Sequence, residues 1–274
     1  MAQHSSHDFD GRNGLDGRNG LDGLDGLTAL VTGATGGLGV AETTVLRTAG
    51  AQVLAHARTS DERLRRLEES TGAIGVVQDL STPEACRALV RTAAEIHGAL
   101  DVVVANHAAM SMSPLVDADP EEWWRVVDVN LVGTFALVQE AVRVMREQGR
   151  GGRIIVIVSE WGVTGWPNAS AYAASKAGLI SLVKCLGHEL APEGILVNAI
   201  APGVIDTPQL TVDAADAGLT LDAMHAQYAE QIPAGRIGRP EEIAAAVAFL
   251  AQPSLRSIAG QTLQLNGGST RSRV

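Results

Sequence analysis

The sequence is poor in cysteine, with only Cys86 and Cys185 among its 274 residues. The two lie far apart in helical patterns, a spacing that fits neither a disulfide framework nor a metal site. We therefore expect two buried thiols of a reducing cytoplasm and no bound metal. No run of about 18 apolar residues is present, which argues against a membrane-spanning helix. The first residues, MAQHSSHDFDG, also lack the basic start and apolar stretch of a signal peptide.

Positive charge is scarce as well. The 31 Asp and Glu residues outnumber the 21 Lys and Arg residues, so the formal net charge is −10. Nucleic-acid binding needs clustered Lys and Arg against the phosphate backbone, and this balance argues against it. Apolar residues, in contrast, make up 46% of the chain, which is enough for a substantial core.

The N-terminal region carries a short repeat that decays from a period of six to a period of three. Residues 10–27 read DGRNGL-DGRNGL-DGL-DGL, and their Gly, Asp and Asn content favours turns and cannot bury a core. Calcium-binding repeats have a nine-residue glycine-aspartate period, which is absent here. We expect residues 1–26 to form a flexible tail and residues 27–274 to form the folded domain.

From Thr28 onward, seven short apolar runs alternate with segments that have apolar residues at helical spacing. Such alternation predicts a parallel sheet covered by helices on both faces. Because the composition does not change along this part of the chain, we expect a single α/β domain. Its predicted fold is doubly wound (Rossmann-like), with a seven-stranded parallel sheet.

The first strand runs directly into a glycine-rich turn with the sequence TGATGGLG. Gly33, Gly37 and Gly39 give the spacing G-x-x-x-G-x-G at the junction between strand and helix. Residues without a Cβ let the backbone approach a pyrophosphate, and the free N–H groups of the helix N-terminus then face that anion. This position predicts a dinucleotide site.

The ends of the second and third strands bear on which dinucleotide is bound. The second strand ends in Ala57 and Arg58, where a carboxylate that rejects a 2′-phosphate would otherwise stand. A guanidinium pairs well with such a phosphate, so we favour NADP(H). NAD(H) remains the alternative if Arg58 is an ordinary solvated residue. Asp79 follows the third strand and could accept a hydrogen bond from the adenine amino group, whereas His56 is interpreted as a strand residue.

Further motifs resemble those of the short-chain dehydrogenase/reductase family, in particular its single-domain members of the 3-oxoacyl-carrier-protein reductase type. The resemblance extends from about Leu24 to Gly268. Besides the glycine turn, it rests on VDVNLVGTF, SEWGVTGWPNASAYAASK, APGVIDT and IAGQTLQLNGG. It implies hydride transfer between a nicotinamide and a ketone or secondary alcohol. The alternative is a dinucleotide-sensing protein without catalysis. It predicts loss of the family's four catalytic residues, but Ser159, Tyr172, Lys176 and Asn130 are all present.

The resemblance implies a role for each of these four residues. Tyr172 is the general acid/base, and Lys176, at i+4 on the same helical face, is expected to lower its pKa. An ammonium some 4–5 Å away contributes roughly 3–4 kcal/mol at an effective dielectric near 20. Helped by the charge of the oxidised nicotinamide, this is sufficient for a shift of about 3 pKa units. Ser159 hydrogen-bonds the substrate oxygen, and Asn130 holds a water that links the lysine to solvent.

The resemblance also implies the cofactor contacts. The residues concerned are Gly33, Thr35, Gly36, Gly37, Leu38, Gly39, Arg58, Asp79, Leu80, Asn106, Tyr172, Lys176, Pro202, Gly203, Ile205 and Thr207. A segment over residues 206–232 is expected to form a substrate lid. Family members are commonly tetramers, so we expect a homo-oligomer, either a tetramer or a dimer.

Four residues are candidates for contact with a small carbonyl or alcohol substrate. Trp161 and Trp166 could form a pocket wall for a ring or flat apolar group, or simply pack within their loop. His107 and Glu160 depart from the family pattern. For His107 we favour a packing or hydrogen-bonding role over a catalytic one. Glu160 could bind a cationic or hydroxylated substrate or face water.

Overall fold

The computed structural model describes residues 23–270. The predicted tail therefore lies largely outside the described residues. Leu24 is fully buried, and its N–H donates to the carbonyl of Ala49 at 3.1 Å. The packed part of the chain thus includes Leu24, where the family resemblance also begins.

The described residues contain seven strands and ten α-helices. The strands are β1 (Thr28–Val31), β2 (Gln52–Ala57), β3 (Ile74–Val77), β4 (Val102–Ala105), β5 (Gly152–Ile157), β6 (Ile195–Pro202) and β7 (Thr262–Leu265). The helices are α1 (Gly37–Thr48), α2 (Glu62–Thr71), α3 (Pro83–His97), α4 (Pro120–Val127), α5 (Thr134–Gln148), α6 (Trp161–Thr164), α7 (Ser170–Leu190), α8 (Pro208–Asp216), α9 (Leu221–Gln231) and α10 (Pro240–Ala251).

All seven strands join one parallel sheet in the order β3-β2-β1-β4-β5-β6-β7. The order reverses between β1 and β4, and Leu30 of β1 lies between Leu54 of β2 and Val103 of β4. At such a reversal the connections leave on opposite faces, which opens a crevice at the carboxyl ends of the strands. The predicted doubly wound fold is confirmed.

Side chains that alternate along each strand fill two hydrophobic layers, one on each face of the sheet. Leu30 and Val103 face helices α3, α5 and α7, whereas Val31 and Val104 face helices α1, α2 and α10. Because both faces are covered, β1 and β4 are buried at every residue, which explains their uninterrupted apolar sequences.

Two sequence-based expectations need correction. The apolar spacing over residues 121–147 predicts one long helix, but a π-helical segment, Asp128–Gly133, interrupts it, and its wider turn separates α4 from α5. Of the two cysteines, Cys86 is buried as expected, but Cys185 is exposed. Cys185 lies two residues from the buried Val183 and Gly187 on α7, which places it on the opposite, solvent-facing side of the helix.

One carboxyl group lies on the buried face of α1. Glu42 is fully buried beside Thr43 and Leu46, and within the described residues neither carboxyl oxygen has a hydrogen-bond partner. Burial raises the pKa of Glu42 to about 8. A neutral acid is therefore part of the core near pH 7.

None of the helices formed by residues 23–270 has the length and apolarity needed to cross a lipid bilayer.

Candidate active site

A cleft of about 980 Å³ lies at the carboxyl ends of the strands. Most residues predicted from the sequence line it: Gly33, Thr35, Gly36, Gly37, Leu38, Arg58, Asp79, Leu80, Asn106, His107, Ser159, Glu160, Trp161, Tyr172, Lys176, Pro202, Gly203, Ile205 and Thr207. Three predicted residues, Gly39, Asn130 and Trp166, do not. Helices α8 and α9 of the predicted lid contribute Gln209 and Tyr228 to the lining.

The glycine turn has the shape that a pyrophosphate requires. Gly33 has a positive φ of 65°, and a Cβ on Gly39 would lie 2.6 Å from the Cα of Ala34. A Cβ on Gly37 would lie 2.6 Å from the Cβ of Thr207. Gly36 caps helix α1 without a side-chain hydrogen bond, and the first turn has no acidic residue. The free N–H groups and the positive end of the α1 dipole therefore face the cleft, which suits an anionic cofactor.

Thr32 and His56 hold this turn in place, although neither was predicted from the sequence to belong to the site. The Thr32 hydroxyl accepts hydrogen bonds from the N–H groups of Asn106 (2.9 Å) and His107 (3.1 Å), which joins the ends of β1 and β4. The Nδ1 of His56 accepts from Gly33 N–H at 3.1 Å, and its Nε2 lies 2.8 Å from the carbonyl of Gln78. The signal for Thr32 was its position directly before the first glycine.

His107 is a buried, hydrogen-bonded residue at the edge of the cleft. Its Nδ1 lies 2.9 Å from the Thr32 hydroxyl. Burial lowers the pKa of His107 to about 3, and the charges of His56 and Lys176 add to this effect. The imidazole is therefore neutral at physiological pH, in keeping with the packing role that the sequence analysis favoured.

Ser159, Tyr172 and Lys176 meet at one end of the cleft. The side chains of Ser159 and Tyr172 are neighbours and both line the cleft. The Nζ of Lys176 lies 5.5 Å from the centre of the Tyr172 ring and donates to the carbonyl of Ile157 at 2.7 Å. Lys176 is only 2% exposed, and burial lowers its pKa to about 8. The i to i+4 spacing on α7 thus places the two side chains together, as the sequence predicted.

The pKa of Tyr172 departs from the sequence-based expectation. Burial of the phenol hydroxyl raises its pKa, and the neighbouring Ser159 side chain opposes this without reversing it. The expectation had counted the attraction of Lys176 but not the loss of hydration around the phenolate. The phenol of Tyr172 is therefore a weaker acid in this structure than an ordinary tyrosine.

The contacts of Asn130 favour a structural role for its side chain. Asn130 is fully buried in the π-helical segment. Its Oδ1 accepts from Ala109 N–H at 2.7 Å, while its Nδ2 donates to Ala109 O at 2.9 Å and to Ser175 Oγ at 3.0 Å. Both amide hydrogens are thereby used, so this side chain has no donor left for a relay water.

The loop between Ser159 and α7 contains a stacked aromatic wall. Trp161 lies parallel to Trp166, with ring centres 5.1 Å apart, and meets the Tyr172 ring edge-on at 5.9 Å. Trp161 faces the cleft, whereas Trp166 supports it from behind and is partly exposed. Glu160 does not face water: its carboxylate is buried and accepts hydrogen bonds from Ser269 and Thr270.

The far end of the cleft carries two guanidinium groups. Arg58 and Arg63 are both exposed and line this end, and Arg63 also pairs with Asp61 at 2.9 Å. Arg63, in the first turn of α2, was not among the site residues predicted from the sequence. Asp79 lines the same end, and its Oδ1 accepts from Ser81 N–H at 3.0 Å. Thr82 caps α3, and Pro83 is its first residue.

This cleft combines a glycine turn for a dinucleotide with a Ser-Tyr-Lys cluster at the opposite end. The family model described as enoyl-(acyl carrier protein) reductase matches residues 33–270. The chain belongs to the short-chain dehydrogenase/reductase family. It is therefore an NAD(P)-dependent oxidoreductase of the type that acts on CH–OH or C=O groups.

Individual members of this family match the chain over nearly its whole length. A 3beta-hydroxysteroid dehydrogenase of Eggerthella lenta is 39% identical over 248 residues, which are 89% of this chain and 93% of that protein. A 3-oxoacyl-(acyl-carrier-protein) reductase of Vibrio cholerae is 36% identical over 242 residues, which are 88% and 96% of the two chains. The crystal structure of a short-chain type dehydrogenase/reductase from Mycobacterium marinum superimposes with a TM-score of 0.80 and 32% identity, covering 92% of this chain and 98% of that one.

Proposed function

We propose that the protein interconverts a ketone and a secondary alcohol, prefers NADP(H), and uses Tyr172 as its general acid/base. One observation carries this proposal: Ser159, Tyr172 and Lys176 line the same cleft as the glycine turn, and the Nζ of Lys176 lies 5.5 Å from the centre of the Tyr172 ring. The alternatives are an NAD(H)-preferring enzyme of the same fold and a sensor without catalysis.

The glycine turn and the strand ends would hold the cofactor. The N–H groups around Gly36 would bind the pyrophosphate. Asp79 and Leu80 would contact the adenine, and Asn106 the adjoining ribose. Pro202, Gly203, Ile205 and Thr207 line the cleft next to the Ser159 end, where the nicotinamide belongs. When bound, the nicotinamide supplies or accepts the hydride.

Side chains of the protein itself carry out the proton transfer. During reduction, Tyr172 donates its hydroxyl proton to the oxygen of the carbonyl, and during oxidation its phenolate takes the proton from the alcohol. Ser159 donates a hydrogen bond to the same oxygen, where negative charge develops. Lys176 stabilises the phenolate that remains after reduction. Trp161, edge-on to Tyr172, keeps the ring in place.

The preference for NADP(H) rests on Arg58 and Arg63. Replacing Arg58 by Ala is expected to raise the Kd for NADPH about 10-fold, because a charge-assisted hydrogen bond to the 2′-phosphate is lost. The Kd for NADH is expected to stay within about 2-fold, because NADH has no charge at that position. Titration of the reduced-nicotinamide fluorescence measures both constants.

Arg66→Ala is the matched control for Arg58→Ala. Arg66 is an exposed arginine of α2 that pairs with Glu62 at 2.9 Å and does not line the cleft. Equal weakening of NADPH and NADH by Arg58→Ala, or a wild-type protein that binds NADH more tightly, would rule out the NADP(H) preference and favour the NAD(H) alternative.

For the substrate we propose a hydrophobic ketone or secondary alcohol that contains a ring. The stacked Trp161 offers a flat apolar wall next to Tyr172, and Tyr228 of α9 adds a second aromatic side chain. Helices α8 and α9 share a small apolar cluster of their own, built on Leu210 and Met224, which suits a lid over such a substrate. The name of the Eggerthella lenta relative, a hydroxysteroid dehydrogenase, supports the same class.

The proposed reaction is tested by incubating the protein with NADPH or NADH and a panel of cyclic and open-chain ketones, and by following the absorbance of the reduced nicotinamide. We expect NADPH to be consumed with at least one cyclic ketone. Tight binding of NADPH without turnover of any ketone, or of any alcohol with NADP⁺, would instead support the sensor.

We also propose that the enzyme is a homo-oligomer. Trp124, Val132 and Phe135 are exposed apolar residues along α4, the π-helical segment and α5, and burial against a second copy would remove them from water.

A further inference from the structure

We infer that Glu160 is a positioning residue that ties the C-terminal end of the chain to the catalytic serine, so that Ser269 and Thr270 belong functionally to the active site. The inference rests on the proposed function for its effect on turnover. It concerns residues far apart in sequence: Ser269 and Thr270 follow Glu160 by 109 and 110 positions.

The carboxylate of Glu160 is buried and bound by two hydroxyl groups. Its Oε2 accepts hydrogen bonds from Ser269 Oγ and, at 3.3 Å, from Thr270 Oγ1. Glu160 is 8% exposed. A buried carboxylate that loses its donors is strongly destabilised, so the C-terminal residues and Glu160 hold each other in place.

The backbone hydrogen bonds of Glu160 connect its fixed side chain to the catalytic end of the cleft. Its N–H donates to the carbonyl of Pro202 at 3.0 Å, and its carbonyl accepts from Val163 N–H at 2.8 Å at the start of α6. The preceding residue, Ser159, accepts from Trp161 N–H at its Oγ at 3.2 Å. Any rotation of Glu160 therefore moves the serine hydroxyl and the Trp161 ring.

The other carboxylate oxygen lies against the turn that follows β6. A Cβ on Gly203 would come within 3.3 Å of Glu160 Oε1 and within 2.7 Å of Asn266 Cβ. The Gly203 N–H donates to the carbonyl of Leu265 at 3.0 Å. Glu160 thus lies at the junction of the ends of β5, β6 and β7, and its hydroxyl partners close this junction from the C-terminal side.

Loosening the junction should affect the chemical step more than cofactor binding. Misplacement of a catalytic group by about 1 Å can cost about 100-fold in rate. The adenosine end of the cleft, formed by Arg58 and Asp79, does not contact Glu160 or its partners. We therefore expect a lower kcat with a nearly unchanged Kd for NADPH.

The test compares Glu160→Ala, Glu160→Gln, the double variant Ser269→Ala/Thr270→Val and the triple variant with alanine at 160. We expect Glu160→Ala and the double variant each to lower kcat about 10- to 100-fold, with the Kd for NADPH within about 3-fold of wild type. The triple variant should be no slower than Glu160→Ala, because all three residues act through one contact. Glu160→Gln keeps an acceptor oxygen and should recover part of the rate.

Thr262→Val is the matched control, since it removes a hydroxyl from β7 that has no hydrogen-bond partner within the described residues. The inference fails if the Ser269/Thr270 double variant turns over like Thr262→Val, or if its effect and that of Glu160→Ala multiply in the triple variant. The melting temperatures of the same variants give a second readout that does not need turnover. Non-additive shifts in melting temperature support the contact of Glu160 with Ser269 and Thr270 even if no ketone is reduced and the proposed function fails. Additive shifts refute it.

Discussion

Replacing Tyr172 by Phe is expected to lower kcat for ketone reduction about 10³-fold, because general acid catalysis contributes roughly 10²- to 10⁴-fold. The substitution removes one hydroxyl and leaves the ring between Trp161 and Lys176. The Kd for NADPH is expected to stay within about 3-fold of wild type, since the glycine turn and the arginines are untouched. Stopped-flow or steady-state absorbance of the reduced nicotinamide gives kcat, and its fluorescence gives the Kd.

Tyr228→Phe is the comparison for this experiment, because Tyr172 and Tyr228 are the only tyrosines of the chain. Tyr228 also lines the cleft but belongs to α9 of the predicted lid. A decrease in kcat of similar size in both variants would show that a phenol hydroxyl anywhere in the cleft matters equally. A Tyr172→Phe variant with wild-type turnover would exclude Tyr172 as the proton donor.

Replacing Glu42 by Gln is expected to change the pH dependence of stability more than any other single substitution considered above. Glu42 is fully buried without a hydrogen-bond partner in residues 23–270, and its pKa is raised from 4.5 to about 8. Between these two values the unfolded chain has lost the proton that the folded protein keeps. Raising the pH in this range therefore favours unfolding, by up to about 1.4 kcal/mol per pH unit.

The expected difference is large enough to measure by urea unfolding. From pH 5 to pH 7, the stability of Glu42→Gln relative to wild type should rise by roughly 3 kcal/mol. Above pH 8 the difference should level off, because Glu42 is then ionised in both states. A difference that is constant between pH 5 and pH 8 would mean that the carboxyl is ionised or has a partner in the folded protein.

Glu140→Gln provides a contrast of opposite sign. Burial raises the pKa of Glu140, but the hydrogen bonds from Arg143 and Arg91 outweigh burial and lower it below its ordinary value. Its contribution to stability is present above the pKa of the unfolded chain and is lost as the pH falls through the folded value. Glu140→Gln should therefore destabilise the protein at pH 7, where Glu42→Gln stabilises it.

The sheet could be predicted from the sequence because parallel strands that are buried on both faces have uninterrupted apolar sequences, such as VVVA in β4. Helices α3 and α10 could be bounded well, since each begins at a proline, Pro83 and Pro240, that suits only the first turn. Helices α8 and α9 were anticipated only as an Ala-rich lid. Their apolar residues serve a small separate cluster and give little helical periodicity.

The candidate site was predictable where its residues share one local motif. The glycine turn and the Tyr172–Lys176 pair depend on spacings of a few residues, and the structure brings both to one cleft. The contact of Glu160 with Ser269 joins residues 109 positions apart, so no local pattern could show it. The pKa of Tyr172 depends on burial, which the spacing of Tyr and Lys does not report.

The central claim is that Tyr172 gives up its proton readily only when positive charge from the nicotinamide adds to that of Lys176. The most direct measurement is an ultraviolet titration of tyrosinate in the Tyr228→Phe variant, whose single tyrosine is Tyr172. Without cofactor, Tyr172 should ionise above the ordinary tyrosine pKa of about 10, because burial raises its value. Saturating NADP⁺ should lower the midpoint by about 2 units or more, since a second cation nearby favours the phenolate. A midpoint that NADP⁺ leaves unchanged or raises would contradict the account.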